Sequence, residues 1–165
     1  MKFLAIIWNK YIENLFNWIP AGLEAFVWRK KKKEALELLE TLKEMAPDLY
    51  GIQNLLHDHN FEWKADPMGG TLDFHSKPWV VCARLGGDCD DFAELWYYLL
   101  KPHGEVKRMV TGKKDWSFHK MCTFSTEGRT YLLSNKRVRK NVAYELRHTL
   151  EKDFYGEETW FTIVY

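Results

Sequence analysis

Apolar residues recur at helical spacing through the first hundred positions and at strand spacing beyond them. Leu4, Trp8, Tyr11, Ile12, Leu15 and Ile19 share one stripe, which predicts a helix over 3–19 closed by Pro20 and Gly22. A second helix is expected over about 23–45, where Ala35, Leu36, Leu38, Leu39, Leu42 and Met45 form its apolar side and Pro47 its stop. A short helix over 48–56 follows. From 57 to 78 the chain is loop-like, with Asp66-Pro67, Gly69-Gly70 and Lys77-Pro78 as breakers. A loop of that length in a compact domain suits the wall of a substrate cleft. Phe92, Leu95, Trp96, Leu99 and Leu100 keep the i, i+3, i+4, i+7, i+8 spacing of a buried face, giving a core helix at 89–101. Strands are expected at about 105–111, 118–124 and 130–134, a helix at 142–152 and a last strand at 159–165. Helices first and an antiparallel sheet afterwards indicate an α+β domain.

Composition narrows the classes. A chain of 165 residues fits one domain, 1–165, whose residues 1–56 form a helical N-terminal part. Aromatic content of 16%, with eight Trp, and a formal net charge of +1 describe a globular chain with no whole-chain case for nucleic acid. The basic run Arg29 to Lys33 reads as a solvated face. The rival reading joins it to Trp8, Trp18 and Trp28 as a membrane or partner contact. For the 3–19 stripe, packing on the chain's own core is the reading taken. Phe3 to Trp8 is too short an apolar run to span a membrane and lacks a cleavage site, so a cytoplasmic protein is expected. Three cysteines argue against a disulfide framework and suit a reducing compartment; Cys82 and Cys122 are assigned to packing.

Chemistry concentrates in Gly86-Gly87-Asp88-Cys89-Asp90-Asp91-Phe92-Ala93. Asp88 is a good N-cap, and Asp91 three residues on completes a capping-box-like pair. Cys89 then stands in the first turn of the core helix, where unpaired N–H groups and the helix dipole favour a thiolate and can hold an oxyanion. Thirty residues later His119 sits in a strand-like run. Taking Ser125-Thr126-Glu127-Gly128-Arg129 as the turn, opposed residues of the hairpin sum to 254 and His119 faces Asn135. An Asn135 oxygen there fixes the imidazole tautomer, as the third member of a Cys-His-Asn set does.

This arrangement resembles the transglutaminase-like superfamily, in particular the small bacterial transglutaminase-like cysteine peptidases with their Gly-Asp-Cys-Glu-Asp-Tyr-Ala type of motif. The matching string here is Gly87-Asp88-Cys89-Asp90-Asp91-Phe92-Ala93, and the resemblance covers roughly residues 79–136, the expected catalytic core. It implies a papain-like, transglutaminase-like α+β core with the nucleophile on Cys89 and the base on His119. The family's third residue is an Asp, often in a Leu-Asp-Asn string. Leu133-Ser134-Asn135 stands here, so the motif points to Ser134 and the hairpin to Asn135. A one-residue slip reverses that choice; Asn135 is the reading taken. The implied activity is cysteine-dependent amide hydrolysis of a protein or peptide through an acyl-thioester. The alternatives are an acyl transferase and a catalytically degenerate interaction protein.

Other candidates are weaker. His57-Asp58-His59 does not put both rings on one helical face, and no third ligand is near, so zinc is not expected. Asp88, Asp90 and Asp91 carry the oxygens a Ca²⁺ ion prefers, but capping accounts for two of them. The expectation is that no cofactor is required, with Ca²⁺ the minor alternative. The oxyanion needs a donor beside the Cys89 N–H, and Gln53, Trp63 and Trp79 are the candidates. Trp116, three residues before His119, is a further candidate for a cleft wall.

Overall fold

The computed structural model describes residues 25–65, 76–113, 118–140 and 159–164. The expected helices at 3–19 and 142–152, Trp8, Trp18, Trp116 and most of the breakers in the 57–78 loop lie outside them.

Helix α1 (Lys32–Met45) follows a 3-10 turn, Trp28–Lys31, that carries most of the basic run. A single helix over 23–45 is therefore interrupted at its charged centre. Residues Arg29 to Lys33 are exposed, in keeping with a solvated face, and Arg29 stacks 3.9 Å over the Phe26 ring. Helix α2 (Leu49–Asp58) starts where the Asp48 side chain accepts from the Gly51 N–H. Strand β1 (Glu62–Trp63) then pairs in parallel with β2 (Gly86–Gly87). Between them lies α3 (Pro78–Arg84), opened by proline at its first position and closed by Leu85 in the left-handed region (φ 50). The sequence reading misses α3 because Trp79 to Ala83 are uniformly apolar. Residues 80–84 are all buried, so no amphipathic period exists to detect.

Helix α4 (Cys89–Leu100) is the central element. Phe92, Ala93, Leu95, Trp96, Leu99 and Leu100 join one core with α1, α2 and the helix-facing sheet residues Cys122, Phe124 and Leu133. The sheet contains β3 (Glu105–Lys113), β4 (Phe118–Thr126), β5 (Arg129–Ser134), β6 (Arg137–Lys140) and β7 (Thr159–Val164), in the order β6-β5-β4-β3-β7, all neighbours antiparallel. Arg108 of β3 clamps α4 to the sheet, with Nε and Nη2 each 2.6 Å from the Glu94 carboxylate and its guanidinium 3.5 Å over the Tyr97 ring. The observed architecture is the expected α+β one. Among the described residues no helix is long and apolar enough to cross a membrane.

One expectation fails by a single residue. The β4–β5 hairpin turns on Glu127-Gly128 alone, with φ of 49° and 71°, as a two-residue turn with both residues left-handed requires. Thr126 opposes Arg129 and Cys122 opposes Leu133, so opposed residues sum to 255 rather than 254. A five-residue turn is too long because Ser125, Thr126 and Arg129 are strand residues despite their polarity; they lie at the exposed end of the hairpin, where Ser125 Oγ and Thr130 Oγ1 bond at 2.9 Å.

Candidate active site

The turn before α4 is held from three sides. Asp88 Oδ1 accepts from the N–H groups of Asp90 (3.2 Å) and Asp91 (3.3 Å), the N-cap expected from sequence. Asp91 does other work than the reciprocal half of a capping box. Its buried carboxylate accepts from the Ser76 N–H at 2.8 Å and from Arg84 Nη1 at 3.2 Å, tying α3 to the first turn of α4. Burial, reinforced by the Asp88 charge, pushes the Asp91 carboxyl upward against the pull of Ser76 and Arg84. On the third side, Lys64 N donates to the Gly87 carbonyl at 2.9 Å and Glu62 N to that of Leu85 at 3.1 Å. This seam requires the two glycines. Gly86 has φ +138, and a Cβ on it would collide with the Glu62 carbonyl; one on Gly87 would overlap the Asp91 carboxylate.

Cys89 is partly exposed, whereas Cys82 and Cys122 are buried with thiols pushed up to about 12 by burial. Cys122 Sγ donates to the Ala93 carbonyl at 3.0 Å, the packing role expected of it.

His119 lines a cleft of about 350 Å³ with Trp63, Phe92, Ser134, Asn135, Lys136 and Arg137. The cleft touches α4 at Phe92, three residues beyond Cys89 on the same side of the helix. The charge of Asp88, the neighbour of Cys89, also acts on the imidazole, although burial dominates and holds the ring at about 4. His119 Nε2 and Ser134 Oγ are 2.8 Å apart. The corrected register explains this contact. Ser134 lies diagonally across from His119 on the same face of the hairpin, and its hydroxyl reaches the ring.

Asn135 is displaced into the β5–β6 turn with φ 48. Its backbone carbonyl accepts from Trp96 Nε1 at 2.7 Å, while its buried Oδ1 has no hydrogen-bond partner. The oxygen that meets the imidazole is thus Ser134 Oγ and not the expected Asn135 Oδ1. Thr111, which opposes His119 across β3–β4, is buried with an unpartnered Oγ1.

Of the three oxyanion candidates, Trp63 alone lines the cleft, with its ring 60% exposed. Gln53 Oε1 accepts from the Val138 N–H at 2.7 Å, and Trp79 packs against the core with Lys32 Nζ 5.6 Å over its ring. Arg84 and Ser76 were invisible to sequence reasoning, because nothing local in sequence links them to Asp91. His57 and His59 sit exposed at the end of α2, apart from the acidic cluster.

No protein-family model matches the chain, and no curated protein does. Among solved structures, it is similar to LapG of Legionella pneumophila. The calcium-bound form aligns at 19% identity over 76% of this chain and 78% of that one, with a TM-score of 0.47. The EGTA-treated form aligns at 18% identity over 76% of each chain, with a TM-score of 0.48.

The calcium-bound and EGTA-treated states of that protein overturn the expectation that no cofactor is required. The chain's own residues admit such an ion. Ligand oxygens of Asp88, Asp90 and Asp91 lie within 4.8 Å of one another, the spacing that oxygens at 2.3–2.6 Å from one Ca²⁺ can adopt. Helix capping by Asp88 does not exhaust this set.

Proposed function

We propose that this protein is a cysteine-dependent amide hydrolase, with Cys89 as nucleophile and His119 as general base and acid. The observation that carries the reading is the 2.8 Å contact between His119 Nε2 and Ser134 Oγ in a cleft that Phe92, on the helix bearing Cys89, also lines. With Nε2–H directed at the hydroxyl, the Nδ1 lone pair is the base. The Cys89 proton passes to Nδ1 as sulfur bonds to the amide carbon. The C–N bond then breaks, and the amine leaves with that proton, giving an acyl-thioester. Water attacks the thioester carbon and yields a proton to Nδ1; the acid departs and the proton returns to sulfur. The Cys89 N–H and the indole N–H of Trp63 supply the oxyanion contacts.

Burial keeps the ring neutral near pH 7, the form a base needs. It also makes the imidazolium costly, and Ser134 offers a dipole where a carboxylate would offer a charge. Asp88, Asp90 and Asp91 would hold a Ca²⁺ ion, whose charge would offset the carboxylates around the nucleophile.

The neutral third residue favours a second reading: a transglutaminase-like interaction protein that binds peptides without cleaving them. The deciding test is incubation with a mixed peptide pool, followed by intact-mass analysis after acid quench. The hydrolase reading predicts cleaved peptides and an acyl adduct on Cys89, both lost in Cys89→Ala. Binding without cleavage or adduct supports the second reading.

A further inference from the structure

We infer that the cleft selects amide substrates carrying an acidic side chain, which docks against Arg137 beside the His119–Ser134 pair. The inference rests on the hydrolase reading for its location and goes beyond it in naming a substrate class.

Register supplies the first argument. Ser134 and Arg137 are directly opposed across β5–β6, so their side chains leave the same face with Cβ atoms about 4.5–5.5 Å apart. His119, Ser134 and Arg137 therefore form a row along one cleft wall.

Charge supplies the second. The described residues lining the cleft include two cations, Lys136 and Arg137, and no carboxylate. Lys136 is anchored, with Nζ donating to the Phe61 carbonyl at 2.7 Å, so its charge is fixed at the floor. Arg137 is exposed and enters no ion pair among the described residues. The other described arginines near the core behave differently: Arg84 pairs with Asp91 and Arg108 with Glu94. A guanidinium on a concave rim presents a planar fork that matches a carboxylate bidentately. The low-dielectric walls focus its field on whatever enters.

Shape supplies the third. The exposed Trp63 also lines the cleft and offers an apolar surface for the substrate backbone or the methylenes of a Glu side chain.

The test uses fluorogenic peptides in matched pairs that differ only by Glu against Gln at each position flanking the scissile bond. Alongside, Cys89→Ala protein is tested for binding the same pairs by fluorescence polarisation. For at least one position, the Glu peptide should exceed its Gln partner about tenfold in kcat/KM and in affinity at low salt. That preference should shrink between about 0.05 and 0.5 M NaCl as screening grows. Arg137→Gln should abolish the preference and Arg137→Glu should reverse it; circular dichroism and an unchanged melting temperature verify the fold of both.

Equal use of Glu and Gln peptides, or a preference unchanged in both Arg137 variants, overturns the inference while leaving hydrolysis standing. If no peptide is cleaved, the hydrolase reading fails. The Cys89→Ala binding data then decide the acidic preference by themselves, and equal binding of both members of every pair sinks it.

Discussion

Ser134 Oγ lies 2.8 Å from His119 Nε2, so the oxygen that meets the ring is a hydroxyl at the end of β5 and not the amide next to it in sequence. A hydroxyl can accept from Nε2–H and so fix the tautomer, but it adds no negative charge to hold an imidazolium.

Ser134→Ala should therefore lower kcat/KM by about tenfold, the loss of one hydrogen bond of roughly 1.4 kcal/mol. The KM should change little. Asn135→Gly should keep activity near wild type, because the left-handed turn residue supplies only its backbone carbonyl to Trp96. Steady-state kinetics on the two variants check this; a large loss in Asn135→Gly with none in Ser134→Ala contradicts it.

How far this site was legible in the sequence follows the range of the interactions. The N-cap by Asp88, the helix carrying Cys89 and the strand carrying His119 depend on residues within a turn or a few positions of one another, and their periodicity exposed them. The hairpin register did not follow from pattern alone. Polarity marked Ser125 and Thr126 as turn, whereas a tight left-handed pair at Glu127-Gly128 decides the pairing, and one residue of slip exchanges Ser134 for Asn135. Contacts spanning many residues, such as Trp63 beside Gly87 or Ser76 on Asp91, leave no local trace. The same is true of the edge strand β6, where Arg137, Arg139 and Lys140 leave no apolar alternation to mark a strand.

Acid should weaken the fold through His119. Its pKa is lowered to about 4 in the folded protein against an ordinary 6.5, so between those values the unfolded chain binds more protons. The stability that the neutral ring contributes is complete above about pH 6.5 and lost as pH falls toward 4. Melting temperatures from pH 7.5 to 4 should fall more steeply for wild type than for His119→Gln. Taking the difference between the two proteins removes the titration of groups they share, Asp91 included. Parallel curves contradict the assignment.

Calcium should stabilise the protein through the Asp88, Asp90 and Asp91 cluster. At about a hundred times its dissociation constant, a bound ion adds about 2.7 kcal/mol to the folded state, a rise of several degrees in melting temperature. EGTA should reverse the shift, and Asp90→Asn should abolish it. Mg²⁺, which demands tighter octahedral geometry, should reproduce it poorly. Equal melting temperatures in CaCl₂ and EGTA contradict the site.

Site-resolved alkylation bears most directly on the pairing of Cys89 with His119. Iodoacetamide should label Cys89 near pH 6 well before Cys82 and Cys122, whose buried thiols are pushed up to about 12. Peptide mass spectrometry over pH 5–9 gives the rate at each cysteine. His119→Ala should slow labelling of Cys89 between pH 6 and 8, where the neutral ring of the wild type takes up the thiol proton as sulfur reacts. Labelling of Cys89 at the same rate and with the same pH dependence in wild type and His119→Ala would contradict it.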